Sequence, residues 1–136
     1  MANKEYDFAT GKIVDLDKRK AVILINDSSL ADPLIELLRK SRYRMLGMTS
    51  KPDVALELVR KHKVGVIFID ADIPGINVHE ILIHLQRRFP AFNPIMLSDQ
   101  VSKADIVTVS NLGAVGFLTK PLQEESIRRG MSQVTL

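Results

Sequence analysis

The sequence predicts an α/β fold, a parallel sheet with helices on both faces, and three observations carry that prediction. Continuous apolar runs at residues 21–25 and 64–69 show no alternation, so they read as strands buried on both sides. Stretches between such runs space their large apolar residues by three and four, the period of a helix with one buried face. Strand and helix then alternate five times along the chain, as βα units do when they close into a parallel sheet.

The first 20 residues are mixed in composition, with Gly11 and a charged run from Asp15 to Lys20. They are expected to form an N-terminal extension outside the core, with a short strand at Lys12, Ile13 and Val14; the domain proper is expected over 21–136. Its first strand, 21–25, runs into Asn26, Asp27, Ser28 and Ser29. A helix follows to about Arg39, with Leu30, Leu34, Leu37 and Leu38 on its buried face and Pro33 tolerated only near its start. A weaker strand covers 44–48. Ser50 and Asp53 then have capping-box spacing ahead of a helix to about Lys61.

The strand at 64–69 ends in Asp70, and Asp72, Pro74 and Gly75 follow as a turn. Residues 76–88 read as a helix burying Ile81, Leu82 and Leu85, stopped by Phe89 and Pro90. Residues 94–97 form a short strand ending at Ser98. Ser102 and Asp105 open a helix that β-branched Ile106, Val107 and Val109 weaken, and Asn111, Leu112 and Gly113 close it. The last strand, 114–118, leads through Thr119, Lys120 and Pro121 to a final helix with Glu124 and Glu125 in its first turn. With right-handed crossovers, five strands close most economically in the flavodoxin-like doubly wound order 2-1-3-4-5, with five helices.

Composition narrows the function. A chain of 136 residues with 46% hydrophobic and 26% charged residues suits one globular domain. It has no Cys, which excludes disulfides and thiolate chemistry. No apolar run is long enough for a membrane span and the first residues lack the apolar core of a signal peptide, so a cytoplasmic location is expected. The net charge of +3 invites a nucleic-acid partner, yet the cations cluster at Arg39-Lys40, Arg60-Lys61-His62-Lys63, Arg87-Arg88 and Arg128-Arg129. Each group closes an expected helix, where it complements the macrodipole. The reading is therefore one basic rim, one acidic rim, and no direct nucleic-acid binding.

The carboxyl ends of the four central strands deliver Asn26 and Asp27, Asp70, Ser98 and Lys120 to one rim, where open α/β sheets bind ligands. Carboxylates, a hydroxyl and an ammonium converging there are costly unless a ligand or metal reconciles them. Asp27 and Asp70 suit a hard cation such as Mg²⁺, and Ser98 and Lys120 suit phosphoryl oxygens. Asp72 reads as a solvated loop carboxylate whose side chain does nothing. Lys120 is expected at the rim rather than in the core, so that its removal leaves the fold intact. His62, His79 and His84 lack metal-ligand spacing and read as surface residues.

From residue 21 to about 133 the sequence resembles the receiver domain of two-component response regulators, of the chemotaxis-regulator type. The landmarks are Asn26-Asp27, Asp70 ahead of Pro74 in Asp-Ala-Asp-Ile-Pro-Gly, Ser98 ending the fourth strand, and Gly116-Phe117-Leu118-Thr119-Lys120-Pro121. The resemblance implies a phosphoacceptor signalling domain, not an enzyme, that assists its own phosphorylation and dephosphorylation. It implies that Asp70 is the phosphoacceptor, and that Mg²⁺ is held by Asp27, Asp70 and the main-chain carbonyl of Asp72, with Asn26 acting through a water. Lys120 pairs with the phosphoryl group, the Lys120-Pro121 peptide is cis, and Ser98 and Phe117 are the switch residues. The implied partners are a histidine kinase or phosphotransfer protein, and a second copy docking through the fourth helix, fifth strand and fifth helix.

Three positions depart from the family pattern. Asn26 replaces the first acid of the usual pair, Val78 stands near a common small Gly, and Asp99 replaces a small residue beside Ser98. Asn26 and Asp99 favour an alternative, a pseudo-receiver that keeps the fold as an interaction module without phosphotransfer. A further alternative is a haloacid-dehalogenase-like phosphatase with Asp70 as nucleophile and Asp72 as general acid.

Overall fold

The computed structural model describes residues 4–8, 11–90 and 92–136. Seven strands are present among them: β1 (Lys4–Asp7), β2 (Lys12–Asp15), β3 (Lys20–Leu24), β4 (Arg44–Thr49), β5 (Val66–Asp70), β6 (Asn93–Ser98) and β7 (Gly116–Thr119). The helices are α1 (Asp32–Lys40), α2 (Pro52–Lys61), α3 (Val78–Arg88), α4 (Lys103–Asn111) and α5 (Glu124–Gly130). β3 to β7 form one parallel sheet in the order β4-β3-β5-β6-β7, which is the expected 2-1-3-4-5.

Alternation along each strand splits the core into two layers. Ile23, Val66, Phe68, Ile95 and Leu97 pack with Leu34, Leu38 and Ile127 under α1 and α5. Val22, Leu24, Ile67, Ile69 and Met96 pack with Val59, Leu82, Leu85 and Val109 under α2, α3 and α4. The register sets Phe68 level with Ile23 on one side and Ile95 on the other. Central strands buried on both faces account for the unbroken apolar runs.

Helix termini follow local chemistry. Asn77 caps α3 through its side chain, so that helix starts at Val78 rather than 76. Ser102 and Asp105 form the expected capping box on α4. The other expected box is absent: Lys51 is the N-cap of α2 with no side-chain bond, and Thr49 Oγ1 accepts the Lys51 amide instead. Leu30 is 39% exposed, because Asp27 first caps a 3₁₀ turn over Ser28–Ala31 that puts Leu30 out of phase with α1. Basic pairs occupy the last turns of α1, α2, α3 and α5. His62, His79 and His84 are exposed.

α5 lies so close to β7 that a Cβ on Gly116 would collide with the carbonyl oxygen of Gly130. At the far end of the sheet, the buried Asn93 side chain donates to the carbonyls of Gly65 (2.9 Å) and Thr135 (3.0 Å). Its Oδ1 accepts the Thr135 amide at 3.1 Å.

The short strand expected at Lys12 to Val14 occurs as β2, paired antiparallel with β1. This hairpin is tied to the sheet. Arg19 donates to the Ser41 carbonyl (2.6 Å) and to Asp7 (2.8 Å) and stacks over the Tyr43 ring at 5.5 Å, while Arg42 pairs with Glu5. Burial pushes the Tyr43 hydroxyl above its ordinary value of 10.0, against the opposing pull of Arg19 and with help from Asp7. The neutral phenol is thus favoured in the folded state, so its contribution to stability is complete below pH ~10 and is lost as pH rises through the raised value. The chain has two Tyr and no Trp, so tyrosinate absorbance reads this directly. Tyr43→Phe should delete the step lying above the ordinary tyrosine range.

Candidate functional site

Four strand ends converge at one rim. β5 places Asp70 at its last position, wholly buried at 0% exposure. A buried carboxylate needs full compensation, and this one has four hydrogen bonds. The Asn26 amide, just beyond β3, donates to Oδ2 at 2.9 Å, and the Asp72 amide donates to Oδ1 at 2.9 Å. Lys120 Nζ reaches Oδ1 at 2.8 Å and Oδ2 at 2.9 Å. Lys120 is set there by β7, since its amide donates to the Ser98 carbonyl at 3.0 Å. The Lys120–Pro121 peptide is cis.

The Lys120 side chain is only 7% exposed, which corrects the expectation of an ammonium at the open rim. Burial works against its charge, but the hydrogen bonds it donates to Asp70 and Asp72 prevail and raise its pKa.

Asp72 is the residue the sequence reading undervalued. Its carboxylate is not idle: Lys120 Nζ lies 3.1 Å from Oδ2, the Asp99 amide donates to Oδ2 at 2.8 Å, and Ser98 Oγ lies 3.1 Å from Oδ1. Ser98 Oγ is also 2.9 Å from the Gln100 carbonyl, so one hydroxyl proton serves two acceptors. Partial burial opposes the Asp72 charge, yet the Asp99, Lys120 and Ser98 hydrogen bonds hold its pKa below the ordinary carboxylate value. A signal was present, because Asp72 stands two residues after Asp70 in the turn that closes the same strand end. The partners come from β6 and β7, which no local pattern reveals.

The other expected residues are nearby but differently engaged. Asp27 is exposed, and its Oδ1 accepts the Ser29 hydroxyl (2.7 Å) and amide (3.0 Å), which lower its pKa. Asn26 touches Asp70 through its backbone. Phe117 is half-buried against the core layer of α3 and α4, and Val78 packs on the same layer. Among the described residues no group of three or more His, Cys, Asp or Glu is arranged to hold a metal. The donors present are nonetheless all oxygen, and Mg²⁺ needs only one or two carboxylates with waters completing its shell. The residues fit that ion.

Comparison with known families decides the class: the response regulator receiver domain matches residues 22–131. The chain belongs to that family. This receiver domain is 32% identical over 114 residues to the protein-glutamate methylesterase/protein-glutamine glutaminase of Photorhabdus laumondii, covering 81% of the chain and 32% of that protein. A second such protein, from Burkholderia pseudomallei, is 31% identical over 120 residues, with 85% of the chain and 32% of the relative covered. The receiver domain therefore spans about a third of the length of these relatives. In solved structures it resembles the chemotaxis response regulator CheY4 of Vibrio cholerae (TM-score 0.73, 19% identity, 85% of this chain and 98% of that one). It also resembles the beryllofluoride-activated NtrC4 receiver domain dimer (TM-score 0.75, 17% identity, 85% and 96%). The family is a signalling domain of two-component systems. No helix among the described residues is long and apolar enough to cross a membrane.

Proposed function

We propose that the receiver domain accepts a phosphoryl group on Asp70 from a phosphohistidine of a histidine kinase or phosphotransfer protein. The observation that carries this is the buried Asp70 carboxylate, gripped by Lys120 and two backbone amides at a strand end. An Asp70 oxygen attacks phosphorus in line, the new O–P bond forms as the N–P bond breaks, and the imidazole leaves with the bond's electrons. Lys120 neutralises charge on the transferred oxygens and Ser98 takes one of them. Mg²⁺, held by Asp27, Asp70 and the Asp72 main-chain carbonyl with Asn26 reached through water, would supply further positive charge to those oxygens. Ser98 and Phe117 then reshape the face of α4, β7 and α5, where a partner or second copy docks.

Intact mass after incubation with Mg²⁺ and acetyl phosphate tests this reading. One added phosphoryl group, absent in Asp70→Asn, is the expected result; no adduct would leave a pseudo-receiver, the reading that Asn26 and Asp99 favour. The family assignment leaves the phosphatase alternative without support. Asn26→Asp should tighten Mg²⁺ binding about tenfold, the net of added attraction and carboxylate repulsion, as calorimetry can measure.

A further inference from the structure

We propose that the Asp72 side chain is an internal occupant of the phosphoryl seat, so that loading Asp70 requires its expulsion. This rests on the phosphoacceptor reading of Asp70. Three donors surround the mouth above Asp70: the Lys120 ammonium, the Ser98 hydroxyl and the Asp99 amide. The Asp72 carboxylate reaches all three, at 3.1, 3.1 and 2.8 Å. Its two anionic oxygens thereby meet the donor set that oxygens of a phosphoryl group on Asp70 would need.

Asp72 is held but not entombed. Its side chain is 28% exposed, against 0% for Asp70 and 7% for Lys120, so it can swing outward without opening the core. Ser98 already has an alternative acceptor in the Gln100 carbonyl, and Lys120 keeps Asp70. Exchange is therefore one carboxylate leaving as one phosphoryl group arrives on the same donors. The displaced charge stays beside the new dianion and repels it, which slows loading and loosens the product. Asp72 is a positioning residue that holds the resting state.

The test uses the full chain with Asp72→Asn and Asp72→Ala, both of which keep the main-chain carbonyl. With Mg²⁺ and acetyl phosphate, an Asp70 oxygen forms the O–P bond as acetate leaves, and intact mass follows the initial rate. Asp72→Ala should load about tenfold faster than wild type, and Asp72→Asn, which keeps an acceptor oxygen but loses the charge, should fall between. Beryllofluoride titration with Mg²⁺, followed through the Asp99 amide resonance, should show the same order of affinities. A merely structural Asp72 would not produce that order. Thermal melts identify a variant that fails to fold, and the near-isosteric Asn variant then carries the comparison. Equal rates and affinities in wild type and folded variants would overturn the proposal while leaving the phosphoacceptor reading standing. An adduct in none of the proteins would overturn both, and an adduct in the variants alone would support the proposal.

Discussion

Lys120→Ala should lower the unfolding free energy of the receiver domain by about 3–5 kcal/mol, the range for removing one partner of a buried ion pair. Asp70 has no exposure and Lys120 has 7%, so the mutation strands a charge inside the protein with only the Asn26 and Asp72 amides to answer it. Asp70→Asn should cost much less, because the amide carries no charge and Lys120 retains Asp72 at 3.1 Å. The double variant Asp70→Asn with Lys120→Ala should recover most of the loss, giving a large coupling energy in the cycle. Urea unfolding of the four proteins measures this. A loss below about 0.5 kcal/mol for Lys120→Ala, the level of an ordinary surface substitution, would show that the pair is solvated.

Phe68→Ala should be comparably damaging, at about 3–5 kcal/mol. The ring sits at the centre of the central strand, fully buried, between Ile23 and Ile95 and under α1 and α5. Two strands and two helices frame the space, so it cannot collapse cheaply. The loss should appear as a lower midpoint in denaturant with little change in slope. At low temperature the phosphoryl loading proposed for Asp70 should survive in the variant, since Phe68 belongs to the core layer under α1 and α5.

The contrast between these residues shows what could be read before the fold was known. Phe68 lies in a continuous apolar run, and burial on both faces is a local property that such a run announces. The converging strand ends followed from topology, which placed Asp70, Ser98 and Lys120 on one rim. Burial of Lys120 and engagement of Asp72 depend on angles between β5, β6 and β7 that no single segment encodes. Leu30 misled because a 3₁₀ turn intervened before α1 and broke the helical phase. Ser50 misled because the helix starts one residue later, with Lys51 as an N-cap that makes no side-chain bond and whose own amide goes to Thr49. The hairpin of β1 and β2 was half legible: β2 showed apolar residues, while the fastening depends on Arg19 reaching Asp7 and Ser41.

The approach of Gly116 to Gly130 bears on how any movement of β7 would travel. Most helices ride on a sheet through a layer of side chains whose rotamers can yield, so small shifts of a strand are absorbed. At this one point backbone rests against backbone, and there is no cushion there to compress. β7 and α5 should therefore turn together as a single lever whose inner end carries Lys120, and a tug at that ammonium would arrive at the outer surface undamped.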